Sequence, residues 1–333
     1  MVERRSRRSL LLGLVIVLLL AGVAASLLVG SRGLAPDRVW ELLWHPDGSL
    51  ESAVVRGQRL PRTVLGLVVG AALGLAGAVM QALTRNPLAD PGILGVNAGA
   101  ALVVVAFVAV SGVTDIGAYV WFALAGAGAA AATVYAVAGV GRPDSSPVRL
   151  ALAGVAVSAA LASLTSAVVL ADQEAFNEFR FWVAGSLQGR GWSELGAVAP
   201  FLGVGLVLAL SITGALGVLM LGEDTARGLG VKVSRVRTLA LLAVTALCGA
   251  ATAAVGPIAF VGLAVPMVAR ALMGHDLRWI SACSLALGAL WLLTADVLAR
   301  VLAPEEVAAG IVAALVGGPV FVLVARRRRV PAL

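Results

Sequence analysis

The residues of this chain whose types and spacing point to chemistry are few. They are the arginines Arg56, Arg59, Arg62 and Arg300, the hydroxyls Ser158, Ser163, Thr165 and Ser166, and the carboxylates Glu223 and Asp224. An arginine fork donates paired hydrogen bonds to one carboxylate. Hydroxyls can line a wet path, and adjacent carboxylates suit a helix N-terminus. None of this breaks covalent bonds. The only lysine, Lys232, stands between Val231 and Val233, so the GxxxxGK[ST] loop that cradles nucleotide phosphates is absent. His45 and His275 are far apart, and Cys248 and Cys283 lie in apolar runs as small buried hydrophobes. No His/Cys/carboxylate spacing suits a metal. No Ser-His-Asp or paired-carboxylate arrangement recommends an enzyme. Carboxylates are nearly absent from the apolar runs, where ion-coupled carriers keep them. The expected chemistry is contact and passage, with energy supplied by partners.

The elements that position these residues are membrane spans. Of 333 residues, 60% are hydrophobic and only 13% charged, with a mean hydropathy of +0.99; soluble domains carry about a quarter charged residues. The chain reads as one all-α polytopic membrane domain over 1–333. Its net charge of +7 sits in short clusters between apolar runs, as topology signals do, and not on a nucleic-acid-binding face.

An arginine-rich segment at 1–9 precedes the apolar run Leu10 to Val29. A cleaved leader, with Ala-Gly-Val-Ala at 21–24, is one reading. A retained first span is the other, favoured by a run of about 20 residues. Residues 30–58 form an external loop with a short amphipathic helix that holds Trp40 and Trp44 at the interface. Spans follow at Thr63 to Ala82, Ile93 to Val110, Gly117 to Val140, Leu150 to Leu170, Leu195 to Leu219 and Thr238 to Val255. A piece from Ile258 to Met273, broken by Gly262 and Pro266, precedes spans at Trp279 to Leu298 and Val307 to Val324. The sum is about ten spans with both termini cytoplasmic. A polar external cap covers 171–194, a cytoplasmic segment covers 221–237, and a basic cytoplasmic turn at 141–149 holds Ser145 and Ser146. The glycines Gly66, Gly70, Gly74 and Gly77 clear one helix face so that a second helix can approach closely.

This topology leaves Arg56, Arg59, Arg62 and Arg300 outside, against the positive-inside tendency, and so predicts a function for them. The hydroxyls of 150–170 admit two readings. They bond helices or their own i−4 carbonyls, or they wall a wet path. The 221–237 segment is either a solvated loop or a short helix, stopped by Gly228 and Gly230, that docks into a partner.

Three stretches carry a resemblance. Arg59-Leu-Pro-Arg62, Gly77-Ala-Val-Met-Gln-Ala82 and Asn86-Pro-Leu-Ala-Asp-Pro-Gly92 are similar to the signature of the FecCD-type permeases. These are the membrane subunits of ATP-binding-cassette importers for ferric siderophores, haem and vitamin B12. Leu221-Gly-Glu-Asp-Thr-Ala-Arg-Gly-Leu-Gly230, Gly256-Pro-Ile-Ala-Phe-Val-Gly-Leu263 and Ala295-Asp-Val-Leu-Ala-Arg300 extend the likeness over nearly the whole chain. The resemblance implies a type II importer permease fold in the bacterial cytoplasmic membrane. It implies that Arg59, Arg62 and Arg300 dock a substrate-binding protein. It places ATPase coupling at Glu223, Asp224, Ala226, Arg227, Gly228, Leu229 and Gly230. The translocation path follows the span with Ser158, Ser163, Thr165 and Ser166, with a cytoplasmic gate at Ser145 and Ser146. The partners implied are a second permease copy or paralogue, two ABC ATPase subunits holding ATP and Mg, a binding protein outside, and a ferric siderophore. No cofactor, metal or nucleic acid is expected on this chain.

Met267, Leu277 and Ala308 depart from the family pattern, which suggests one half of a heterodimer. A vitamin B12 or haem importer is the near alternative. An ion-coupled secondary transporter is the distant one.

Overall fold

The computed structural model describes residues 2–30, 33–139, 147–302 and 307–327. Ser145 and Ser146 lie outside them. Among the described residues the regular structure is entirely helical. α1 (Val2–Leu28) leads to the short α2 (Pro36–Trp44). α3 (Leu50–Val54), a π-turn at Val55–Arg59 and α4 (Leu60–Thr84) then run on as one continuous helix. The external loop therefore ends earlier than expected; Pro61 is tolerated inside this helix just after the π-turn, where the Leu60 N–H already bonds the Val55 carbonyl five residues back and the i−4 ladder is interrupted. After a one-turn 3₁₀ elbow at Pro91–Leu94 come α5 (Val96–Ser111), α6 (Ile116–Ala138) and α7 (Pro147–Ala171). α8 (Gln173–Val183) forms the polar cap. α9 (Trp192–Leu219), α10 (Glu223–Gly228), α11 (Val233–Val255), α12 (Val261–Met273), α13 (Leu277–Val301) and α14 (Ala309–Arg327) complete the chain. Seven of the described helices are long and apolar enough to cross a membrane, and three shorter apolar helices accompany them.

The core is the crossing of α4 with α13, α12 and α11. Here the glycine ladder acts as expected, but it faces two partners. A Cβ on Gly70 would lie 2.8 Å from the Ala289 Cα, and one on Gly74 would lie 3.1 Å from the Ser284 carbonyl carbon, both on α13. Gly77 instead meets α12, where an added Cβ would lie 2.8 Å from the Gly262 Cα.

Pro266 does not break α12, contrary to expectation. The non-helical stretch is residues 256–260, and Pro266 sits inside an unbroken helix. Pro266 cannot donate to the carbonyl of Gly262, four residues earlier. That freed carbonyl faces Gly77 across the crossing, so the helix keeps its course and α4 gains a close contact.

α2 lies amphipathically, with Val39 and Leu42 buried and Trp40 and Trp44 exposed and packed edge to face. Arg38 holds this loop through Glu41 at 2.9 Å, Glu51 at 3.1 Å and Asp47. Hydrogen bonds from Ser49, and then Arg38, hold the Asp47 carboxyl down at about 2. A depressed carboxyl stabilises the fold above its ordinary range and loses that contribution as pH falls through its folded value. The Asp47 contacts should therefore persist through mild acid and be lost only near pH 2. Arg38→Ala should move that transition upward, toward the ordinary carboxylate range near 4. Acid titration of tryptophan fluorescence tests this, and an identical profile in the variant would count against the Arg38 contact.

Candidate functional site

The predicted site residues fall into three places. At one end of the bundle the arginines are not displayed but consumed. α1 ends at Leu28, and the last carbonyls of a helix have no partners within it. Arg59 Nη1 donates to the Leu27 and Leu28 carbonyls, each at 2.9 Å. Arg300 Nη1 donates to the Ser26 carbonyl at 2.8 Å and the Val29 carbonyl at 2.9 Å. Two cations thus cap the negative end of the α1 dipole. Asp296, fully buried, pairs with Arg62 at 2.8 Å and with Arg300 one turn further along α13. Ser26 and Thr63 share a hydrogen bond of 2.7 Å beneath the cluster.

The structure brings Arg59, Arg62 and Arg300 to one end of the bundle and turns them inward, whereas the resemblance implied that they dock a binding protein. Arg59 is 5% exposed and Arg300 9%. The apparent violation of charge sidedness has a structural cause: Arg59 and Arg300 cap α1, and Arg62 pairs with Asp296. Arg56, one turn before Arg59 and outside this network, is exposed. Asp296 and Ser26 escaped the reading of the sequence as partners. The i, i+4 spacing of Asp296 and Arg300 was the one local signal for the first, and nothing local marks the second.

The second place is α7. The four hydroxyls do not form one stripe. Thr165 is buried against the bundle, whereas Ser163 and Ser166 are exposed. Ser163, Thr165 and Ser166 donate to their own i−4 carbonyls at 3.0, 2.9 and 2.9 Å. Back-bonding is thus their observed contact in this state. Ser158 stands apart near the elbow, where a Cβ on Gly95 would lie 3.6 Å from its Oγ. The rest of the outward face of α7 is apolar, with Leu152, Val155, Leu164 and Leu170 exposed.

The third place is α10. Gly222 has φ +126°, which only glycine takes readily, and it turns the chain out of α9 into this short helix. Arg227 pairs with Asp224 at 3.2 Å and Glu223 at 3.3 Å, and Glu223 also accepts from Arg237 on α11. Ala226 is the buried anchor, while Leu229 just past the helix is 65% exposed and Leu221 before it is exposed as well. Gly228 ends the helix and Gly230 follows in the left-handed region. The segment is a knob of fixed shape with apolar flanks and a charged crest.

One further polar group was not read from the sequence. The Tyr119 hydroxyl donates to Glu178 of the cap at 3.1 Å, and Arg190 approaches the same hydroxyl at 3.4 Å. It ties α6, α8 and the turn before α9 together.

Comparison with known proteins gives these features a context. The model of the FecCD transport family matches residues 18–327. The ferric enterobactin transport system permease protein FepD of Escherichia coli K12 is 44% identical over 316 residues, covering 95% of this chain and 94% of that protein. The Fe(3+)-citrate import system permease protein YfmD of Bacillus subtilis 168 is 41% identical, covering 98% and 97%. The cobalamin import system permease protein BtuC of Halobacterium salinarum is 40% identical over 275 residues, covering 83% of this chain and 74% of that protein. Among solved structures, an ABC transporter of metal-chelate type in an inward-facing conformation superposes with a TM-score of 0.84 at 27% identity, covering 96% and 99%. A family model that takes in all but the two ends of the chain, with relatives matched almost end to end, settles the relationship: the chain belongs to the FecCD transport family and is a multi-pass membrane permease.

Proposed function

We propose that this chain is the permease subunit of an ATP-binding-cassette importer that carries a ferric siderophore into the cytoplasm. The observation that carries this reading is the end-to-end match to the ferric enterobactin permease. Two permeases, identical or paralogous, form the path between them. The exposed apolar face of α7 supports such a pairing. Two ATPase subunits bind the α10 knob from the cytoplasm, and its exposed Leu221 and Leu229 offer them apolar contact beside the charges of Asp224 and Arg227. ATP and Mg belong to those subunits, since this chain has no phosphate-cradling loop. Ten spans with both termini in the cytoplasm of a bacterial inner membrane complete this reading, and the seven long and three short apolar helices support it. Closure of the ATPases moves α10 and reorients the path, as alternating access requires.

Docking of a binding protein falls within the Arg56 to Arg62 stretch and Arg300. Arg56 presents the free charge, and Arg59, Arg62 and Arg300 hold the rim in shape. Arg56→Glu should weaken docking several-fold at low salt and little at high salt, because exposed charges are screened within about 10 Å at 0.1 M. The fold should be intact. Arg300→Glu should instead lower the yield of folded protein. Docking by Arg56→Glu equal to wild type at low salt would remove Arg56 from the interface.

The whole reading is tested in vesicles holding this chain with its ATPase, to which binding protein and radioactive ferric siderophore are added from outside. Uptake should need ATP. Full-rate uptake without ATP would favour an ion-coupled carrier. ATP-driven uptake of cobalamin and not of iron chelate would favour the cobalamin alternative, which the likeness to the Halobacterium permease supports.

A further inference from the structure

A groove of about 790 Å³ opens between α1 and α9, floored by α4 and α13. Leu12 and Ile16 of α1 form one wall, Leu202 and Leu206 of α9 the other, with Val68 and Ala286 beneath. It exists because α1 rests chiefly on α13 and leaves the side facing α9 uncovered. Every residue lining it is apolar and almost all of its surface is carbon, so it offers water little to bind. Ile16, Gly203 and Leu206 at its lips are exposed. A cleft of this kind at membrane depth fills with hydrocarbon. Apolar lining alone selects nothing there, because lipid tails are as apolar as leucine.

Selectivity comes from one end. Arg8 precedes Leu12 by one turn of α1, and Arg278 precedes Ala282, another lining residue, by one turn of α13. Residues four apart share a helix face, so both arginines stand over the same mouth of the groove. Arg278 is exposed and spans that mouth: its Nη2 lies 3.4 Å from where a Cβ on Gly214 of α9 would be. Arg7 beside them is exposed too. Among the described residues the carboxylate in contact is Asp276, 3.9 Å from Arg8 and capping the first turn of α13. The mouth therefore carries an excess of positive charge over an entirely apolar cleft. That combination complements an anionic phospholipid, with an acyl chain along the groove and its phosphate between Arg8 and Arg278.

We infer that the α1–α9 groove is a binding site for an anionic phospholipid of the leaflet at the α1 N-terminal end. The proposal rests on the chain spanning a membrane and not on which substrate it carries. The site wedges a lipid between α1 and the rest of the bundle, so its occupancy sets how firmly α1 is held.

The test uses the full chain, purified in mild detergent and stripped of lipid, without its partners. Dioleoyl-phosphatidylglycerol and dioleoyl-phosphatidylcholine are added separately, and native mass spectrometry counts retained lipid while melting is followed. Wild type should retain one phosphatidylglycerol preferentially and melt higher with it. Arg8→Ala/Arg278→Ala should cut that preference about tenfold or more and leave the weak phosphatidylcholine retention unchanged. Ala286→Trp should abolish retention of both. Equal retention of the two lipids by wild type, or an undiminished preference in the double arginine variant, would overturn the proposal. So would the same melting shift from inorganic phosphate alone, which would make the mouth a simple anion site. A disulfide between two copies of Gly203→Cys that excludes lipid would assign the groove to a second copy instead. All these outcomes are read without ATP, ATPase or substrate, so they stand apart from the transport assay.

Discussion

Asp296→Ala should be among the most damaging single substitutions in the chain, lowering stability by about 3–5 kcal/mol. The reason is asymmetry. With Asp296 present, Arg62 and Arg300 share one fully buried carboxylate. Without it, two guanidinium groups remain in a low-dielectric site, and the carbonyls of α1 neutralise only part of the charge of Arg300. Removing a single partner of a buried pair costs more than replacing the whole network by apolar groups. Asp296→Ala/Arg62→Met should therefore be less damaging than Asp296→Ala alone, a non-additivity expected of residues in contact. Unfolding in mixed micelles, followed by circular dichroism, measures both. If Asp296→Ala melts with wild type, water reaches the cluster and the buried network is not a determinant of the fold.

The second large effect belongs to Gly77. Its α-carbon crosses α12 at the Gly262 carbonyl, with backbone on both sides. A flexible side chain could step aside, but backbone cannot. Gly77→Leu must part α4 from α12 and with it the contact of Gln81, whose Nε2 donates to the Leu263 carbonyl at 3.0 Å. Overpacking costs about 1–3 kcal/mol where side chains can rearrange. A forced backbone separation at the centre of the bundle should exceed that range, and the expected result is loss of folded protein from the membrane fraction. Gly128→Leu is the control, since no atom lies within 4 Å of a Cβ there. Equal folded yields of the two variants would show that α4 and α12 are not held at this distance.

Most of the fold was legible because its cause is local. A run of apolar residues crosses a membrane for reasons contained in the run, so the helices fall close to where hydropathy placed them. The first turns were missed by a few residues, as at α9, which begins at Trp192 and not Leu195. The Glu194 side chain accepts from the Gly191 amide at 2.6 Å there, and this capping extends the helix into a polar stretch. Gly70 and Gly74 declared a close approach, but not that α13 makes it, nor that Gly77 turns to α12.

The sequence by itself determined that the chain is a polytopic helical membrane protein, that it carries no GxxxxGK[ST] phosphate-cradling loop, and which family it resembles. Composition, span length and rare polar motifs carry that information residue by residue. Only the tertiary structure decided what the polar residues do. Arg62 and Asp296 are 234 positions apart, and Arg300 and Ser26 are 274 apart. Pairings over such separations leave no local pattern. Burial then made the difference between arginines offered to a partner and arginines used up inside. In a low-dielectric bundle a charge must find its counterpart within the fold, and Asp296 with the open carbonyls of α1 was the counterpart within reach.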